Sequence, residues 1–371
     1  MNSATTRLIT VLALLLMATG VGGDQAGPAR CGGPPDEEWP AEGDALTPYP
    51  GMTDAGFLRG ATLDLDDRGA ALDPDDRGAT LDPDDRGATL DPDDPAAVEN
   101  RLRTMRDRYH IDTVGVYRLD APGALLPALD RLGMKVVVRL EAYDPETFAF
   151  TTTDADRLVE RYAPLLTYLA APGHRERVAY LAVNMPLDDP RVQARLGGVN
   201  SALSIDRQAW YAEAVVSRLR RAAPGLAIYL GVFYGWDGGY RPPSYRSAGA
   251  DGYFLTSYSY PGARVPGATD PGDTLIDAPA RRAVMRRFLD QYGDAPVVVE
   301  YGVQTTERHG GRRPGQTAGL VADRRAKGRA LAGTTRFYCA GYPSVRGTMY
   351  FGFNVYKLEG EPPASLDFGL S

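Results

Sequence analysis

Along most of this chain a segment of helical period is followed by a short apolar, β-branched run, and the order repeats. Val98, Leu102, Met105 and Tyr109 share one helical face ahead of T-V-G-V-Y-R-L at Thr113 to Leu119. Leu125 to Leu132, stopped by Gly133, leads into K-V-V-V-R-L at Lys135 to Leu140. Leu158, Val159, Tyr162, Leu165, Leu166 and Leu169 precede V-A-Y-L-A-V-N at Val178 to Asn184. Tyr211, Val215 and Leu219 precede Leu226 to Phe233, and Asp251 to Ser257 reads as a sixth strand. Val284, Met285, Phe288, Leu289 and Tyr292 precede Val297 to Glu300, and a last helix around Asp323 to Tyr338 precedes Gly347 to Phe353. With Gly60 to Leu65 as the first, eight strands are expected. Runs without polar alternation suit strands buried on both faces, as parallel strands under helices are.

Two α/β architectures bury such strands. A doubly wound open sheet would have fewer units and a glycine-rich phosphate turn after its first strand, and no G-x-G-x-x-G follows any strand here. The expected fold is therefore an α/β (β/α)8 TIM barrel over residues 57–371. Its eighth helix is expected to be short or absent, because few residues follow the last strand. A 371-residue chain that is 43% hydrophobic can fill a core of that size.

The charge is unevenly placed. The net charge of -7 includes a nine-residue repeat, G-A-T-L-D-P-D-D-R and its variants from Gly60 to Pro95, with twelve Asp against three Arg; without its -9 the rest stands at +2. No broad basic field is left for nucleic acid. Only the first copy, with Leu65 where the others have Pro, can form a strand, so residues 66–95 are expected to be a solvated insertion. Arg7, the apolar run Leu8 to Val21 and the small Gly22 and Gly23 have the layout of a secretory signal peptide over residues 1–23, shorter than a spanning helix. Residues 24–56, rich in Pro, Gly and acid, are expected to be a flexible lead-in. The expected location is extracellular, with no membrane contact after cleavage. There Cys31 and Cys339, the only cysteines, could pair. Three histidines (His110, His174, His309) and no clustered Cys leave no basis for a metal site, and no cofactor is expected.

In a barrel of this kind the carboxyl ends of the strands build the active site. Those ends carry Arg118, Arg139, Glu141, Asn184, Tyr234, Trp236, Tyr258, Tyr260 and, after A-P-V-V-V, Glu300. Carboxylates, amides and aromatics without metal ligands suit a sugar, whose apolar ring faces stack on aromatic rings and whose hydroxyls bond Asn, Arg and Tyr.

V-V-V-E-Y-G at Val297 to Gly302 resembles the strand-seven nucleophile motif of clan A glycoside hydrolases. L-A-V-N-M-P at Leu181 to Pro186 is similar to the clan's strand-four motif, and A-D-G-Y-F-L-T-S-Y-S-Y-P-G at Ala250 to Gly262 to its strand-six segment. The resemblance runs from about Phe57 to the C-terminus. It implies a retaining hydrolase of O-glycosidic bonds in a poly- or oligosaccharide, with Glu300 as nucleophile, Asn184 on the 2-hydroxyl and Tyr258 positioning Glu300. Where the pattern has its acid/base Glu this sequence has Met185, which cannot deliver a proton. Asp188, on the same loop, Asp189 beside it, and Glu141, ending the adjacent strand, are the candidate replacements. Arg118, Asn184, Tyr234, Trp236, Tyr258 and Tyr260 are the expected substrate contacts. The alternative is a degenerate barrel that binds carbohydrate without cleaving it. The partner expected is a carbohydrate and the chain a monomer.

Overall fold

The computed structural model describes residues 48–49, 52, 56–63, 94–117, 119, 122–185, 190–234, 242–257, 278–302, 304–305, 320–321 and 324–350. Eight parallel strands close into a barrel. In chain order the described elements are β1 (Leu58–Leu63), α1 (Pro95–Tyr109), β2 (Thr113–Tyr117), α2 (Pro122–Leu132), β3 (Lys135–Leu140), α3 (Thr152–Ala170) and β4 (Val178–Val183). Then come α4 (Pro190–Arg195), α5 (Ala202–Ala222), β5 (Ile228–Phe233), β6 (Gly252–Thr256), α6 (Ala278–Tyr292) and β7 (Val297–Tyr301). A two-stranded pair, β8 (Gln304–Thr305) and β9 (Leu320–Val321), precedes α7 (Arg324–Gly341) and β10 (Val345–Tyr350), which pairs with β7 on one side and β1 on the other. The eight expected strands are all present, and β10 is the eighth barrel strand.

Alternation along each strand sorts side chains into two cores. On β3, Val136, Val138 and Leu140 pack outward under the helices, while Val137 joins Tyr180, Ala182, Phe254, Val298 and Met349 inside the barrel. Glycines make room for the large members of this inner core. A Cβ on Gly231 would lie 2.9 Å from Phe254 Cζ, one on Gly252 2.6 Å from Tyr229 Cζ, and one on Gly60 2.5 Å from Met349 Cε. The rings of Tyr180 and Tyr229 stack with centroids 4.2 Å apart.

Local signals set the helix ends. Asp94 accepts from Ala96 N at 2.9 Å and Ala97 N at 3.1 Å ahead of Pro95, and α1 buries Val98, Leu102, Met105 and Tyr109. Thr151 and Asp154 form a reciprocal capping box at the start of α3: Thr151 N donates to Asp154 Oδ2 at 2.8 Å and Asp154 N to Thr151 Oγ1 at 3.2 Å.

The end of the expected lead-in needs correction. Tyr49 and Met52 are buried, so the chain joins the fold before residue 57. The Tyr49 hydroxyl lies 2.6 Å from the Gly60 carbonyl and 2.9 Å from the Thr348 carbonyl, and accepts from Thr348 Oγ1 at 3.3 Å. It thus staples the β1–β10 seam, where the first and last barrel strands meet to close the barrel, and burial holds its pKa well above the ordinary tyrosine value. Cys339 is disulfide-bonded, and Cys31 lies outside the described residues. The signal segment, residues 66–93 of the repeat insertion and the chain after Tyr350 also lie outside them. Among the described residues no helix is long and apolar enough to cross a membrane.

Candidate active site

On β7 the outward residues Val297, Val299 and Tyr301 pack against helices, which turns Val298 and Glu300 into the barrel. Two contacts fix the end of this strand. The Tyr301 hydroxyl lies 2.7 Å from Thr335 Oγ1 and donates to Leu331 O at 3.2 Å, tying β7 to α7. Ser257 N, just past β6, donates to Glu300 O at 2.7 Å. The Glu300 side chain is 4% exposed and forms an ion pair with Arg139 of β3, itself 5% exposed. Around the pair stand Val137, Tyr180, Ala182, Phe254, Val298 and Met349. In that apolar layer each charge stabilises the other. The Arg139 guanidinium also sits 5.6 Å from the centre of the Phe254 ring, a cation–π contact. Burial pushes the Tyr180 hydroxyl up, and Arg139 partly opposes that shift.

A second polar pair lies at the rim. β3 and β4 run side by side with Leu140 opposite Val183, so the next residue on each strand that can turn toward the other is Glu141 or Asn184. The Asn184 amide donates to the Glu141 carboxylate. The backbone of Glu141 is held from α3, where the Tyr162 hydroxyl accepts from Glu141 N at 3.2 Å and donates to Glu141 O at 2.8 Å. One hydroxyl thereby satisfies both backbone groups at the point where the strand leaves the sheet. Arg139 and Glu141 are two residues apart, about 6.6 Å of strand. From the barrel interior outward the order is an apolar layer, then Arg139–Glu300, then Glu141–Asn184.

No protein-family model and no curated protein sequence matches the chain. Solved structures do. Bacteroides uniformis beta-glucuronidase 2, covalently bound to cyclophellitol-6-carboxylate aziridine, superposes with a TM-score of 0.54 at 13% identity over 84% of this chain and 33% of that one. Ruminococcus gnavus beta-glucuronidase gives 0.53 at 11% identity, covering 85% of this chain and 47% of that one. The beta-glucosidase from Thermotoga maritima, in complex with methoxycarbonyl-substituted glucoimidazole, gives 0.53 at 15% identity, covering 85% and 92%. The fold is that of the glycoside hydrolase barrels. The chain spans about a third of the length of the first of these structures and nearly all of the last.

Within this glycoside hydrolase-like barrel the structure brings together three expected site residues, Glu300, Glu141 and Asn184, at the carboxyl ends of β7, β3 and β4. Tyr234 is placed otherwise. It follows β5, whose Tyr229 and Gly231 face the barrel interior, so by alternation it turns outward. It is 5% exposed, and its hydroxyl donates to Gln291 Oε1 of α6 at 3.1 Å, a packing position in place of the expected substrate contact. Met185 is half-buried against the hydrophobic core. Arg118, Asp188, Asp189, Trp236, Tyr258 and Tyr260 lie outside the described residues. No group of three or more metal-ligating side chains occurs among the described residues.

Two residues of the site had no role assigned from the sequence. The sequence places Arg139 at a strand end, and its inward parity with Val137 on V-V-V-R-L points it into the barrel, where it meets Glu300. In the sequence Tyr162 is one apolar member of the α3 face.

Proposed function

We propose that the chain is a secreted glycoside hydrolase that cleaves O-glycosidic bonds of a poly- or oligosaccharide by a retaining mechanism. One observation carries this reading: two carboxyl side chains, Glu300 and Glu141, share one end of the barrel, with Arg139 gripping the first and standing two residues before the second. Retention uses carboxyl groups about 5 to 5.5 Å apart, one attacking the anomeric carbon and one protonating the leaving oxygen. Glu300, opposite a guanidinium, takes the role of nucleophile. Glu141, at the rim beside Asn184, takes that of proton donor and then of base toward the water that releases the sugar. Asp188 is the other candidate for the second role. The shared fold supports the class of reaction, and β-glucosides and β-glucuronides head the substrates to try. Secretion is supported by the apolar run Leu8 to Val21 and by the disulfide at Cys339, which needs an oxidising compartment.

A second reading, carbohydrate binding without cleavage, is favoured by the burial of Glu300 under Arg139 and by Met185 after Asn184. The two are separated with activated 2-fluoro glycosides, whose fluorine slows breakdown of a glycosyl-enzyme more than its formation. A retaining enzyme acquires one adduct, which mass spectrometry places on Glu300, and Glu300→Gln abolishes it. Labelling elsewhere removes Glu300 from the role. No labelling or turnover across a panel of dinitrophenyl and fluoride glycosides, with glycan binding intact, establishes the binding reading instead.

A further inference from the structure

Thr62, one residue before the carboxyl end of β1, is 4% exposed, and its hydroxyl bonds nothing among the described residues. A buried hydroxyl left without a partner costs stability that a valine of the same shape would not, so its presence calls for a reason. The Ser344 hydroxyl is also buried and unbonded, but Ser344 lies at the opposite end of the barrel, where its carbonyl accepts from Val297 N at the start of β7.

Strand register shows what Thr62 stands beside. It pairs with Gly115 of β2, and Gly115 with Val137 of β3; because the strands tilt, the β3 residue level with Thr62 is two further along, Arg139. The same step from Arg139 runs through Ala182 and Tyr229 to Gly231 of β5, and from Gly231 through Phe254 and Val298 to Glu300 of β7. From Glu300 it runs through Met349 and Gly60 back to Thr62. The circuit closes on its starting residue, as a stagger of eight residues around an eight-stranded barrel requires. Thr62, Arg139, Gly231 and Glu300 are therefore one layer, drawn from alternate strands.

Gly231 adds no side chain to this layer, and the Phe254 ring fills its place, with Cζ 2.9 Å from where a Cβ would be. Arg139 and Glu300 come from opposite strands and meet across the barrel, and β1 lies midway between those strands. The Thr62 side chain points into the same space: its Oγ1 lies 3.5 Å, and Met349 Sδ 3.2 Å, from the position a Cβ on Gly115 would take, and Met349 borders Glu300. The layer thus holds three polar side chains. The carboxylate and the guanidinium hold each other, and the hydroxyl holds nothing.

We propose that Thr62 is a positioning residue for Glu300: as the carboxylate turns from Arg139 to the anomeric carbon, the Thr62 hydroxyl donates to the carboxylate oxygen that does not attack. This inference rests on the hydrolase reading and names a residue that serves it. In the attacking step one Glu300 oxygen bonds the anomeric carbon while the bond from that carbon to the leaving oxygen breaks; the leaving oxygen keeps that electron pair and takes the proton of the acid. The other Glu300 oxygen becomes the ester carbonyl. Glu300 then carries no charge for Arg139 to pair with, and a neutral hydroxyl is a suitable donor to the carbonyl that remains. Rotation between staggered wells about the Thr62 Cα–Cβ bond re-aims Oγ1 without moving the strand.

The test uses the full-length protein and activated 2-fluoro glycosides. Wild type is compared with Thr62→Val, which keeps the shape and removes the hydroxyl, and with Thr62→Ser, which keeps the hydroxyl. The rate of adduct formation at Glu300 and the melting temperature are read for each. Thr62→Val is expected to melt about 2 °C or more above wild type, because an unbonded buried hydroxyl is gone, and yet to be labelled about tenfold or more slowly. Thr62→Ser is expected to be labelled within about threefold of wild type. A purely structural hydroxyl would give the opposite sign in stability, and an idle one no change in rate. Thr62→Val labelled as fast as wild type, or melting below it, overturns the role of Thr62 and leaves the hydrolase reading standing; so does Thr62→Ser slowed as far as Thr62→Val. A wild-type protein that takes no label at Glu300 overturns the hydrolase reading, and the role of Thr62 with it.

Discussion

Replacing Arg139 by leucine would leave the Glu300 carboxylate inside the barrel without its counter-charge. Both side chains are at most 5% exposed, and the described residues around them are Val137, Tyr180, Ala182, Phe254, Val298 and Met349, none of them charged. Breaking a buried pair from one side costs about 3 to 5 kcal/mol, to which the lost contact with Phe254 adds about 1 kcal/mol. Against a total stability on the order of 5 to 15 kcal/mol, Arg139→Leu should remove about a quarter or more. Removing both charges should behave differently, because leucines of similar volume fill the layer with nothing left to desolvate. The double variant Arg139→Leu/Glu300→Leu is expected to be as stable as wild type or about 1 to 4 kcal/mol more stable. The assay is urea unfolding followed by circular dichroism on wild type, both single variants and the double, with stabilities extrapolated linearly to water. The expected coupling energy is about 2 kcal/mol or more. A cost below about 1 kcal/mol for Arg139→Leu would mean that Glu300 is solvated or otherwise paired. A double variant as unstable as the sum of the singles would mean that the two groups do not sense each other. Either result refutes the reasoning.

Other expectations follow from particular contacts. If Glu141 is the proton donor, Glu141→Gln should lower turnover of alkyl glycosides by about 10² to 10⁴ while nearly sparing dinitrophenyl glycosides, and equal losses on both would assign it another role. Gly347→Ala should cost about 2 to 3 kcal/mol, since its Cβ would lie 2.6 Å from the backbone oxygen of Leu58. Gly60→Ala, which meets chiefly the flexible Met349 side chain at 2.5 Å, should cost about 1 kcal/mol, and equal urea midpoints for the two would contradict this. Burial raises the pKa of Tyr49, Tyr180, Tyr211, Tyr301 and Tyr338, so the folded state keeps protons that the unfolded chain releases above about pH 10. The stability this contributes is fully present below pH 10 and is lost at higher pH, by about 1.4 kcal/mol per pH unit for each tyrosine. Melting temperatures that stay flat between pH 9 and pH 11, with no unfolding-linked rise in tyrosinate absorbance, would contradict it.

What the sequence determined by itself is local. β3 was expected at Lys135 to Leu140 and lies there residue for residue, because a β-branched run between a glycine-stopped helix and a polar loop leaves the backbone no better choice. The strands at Thr113, Val178 and Val297 begin where they were expected, and α1 ends at Tyr109 as its period requires. The count of eight then implied closure, since parallel strands under helices have few ways to bury both faces. Helix α4 was missed because six residues are too few to show a period, yet its Arg195 holds the loop beside Glu141. Tertiary structure alone decided what faces what across the barrel. Nothing local joins Arg139 to Glu300: their meeting depends on the stagger of strands that close a ring. The same closure turned Tyr234 from an expected sugar contact into packing against α6, and drew Tyr49 out of an expected flexible lead-in to staple the first strand to the last. Periodicity is set by each residue's own backbone and burial, whereas pairing across the barrel is set by registers that no single segment contains.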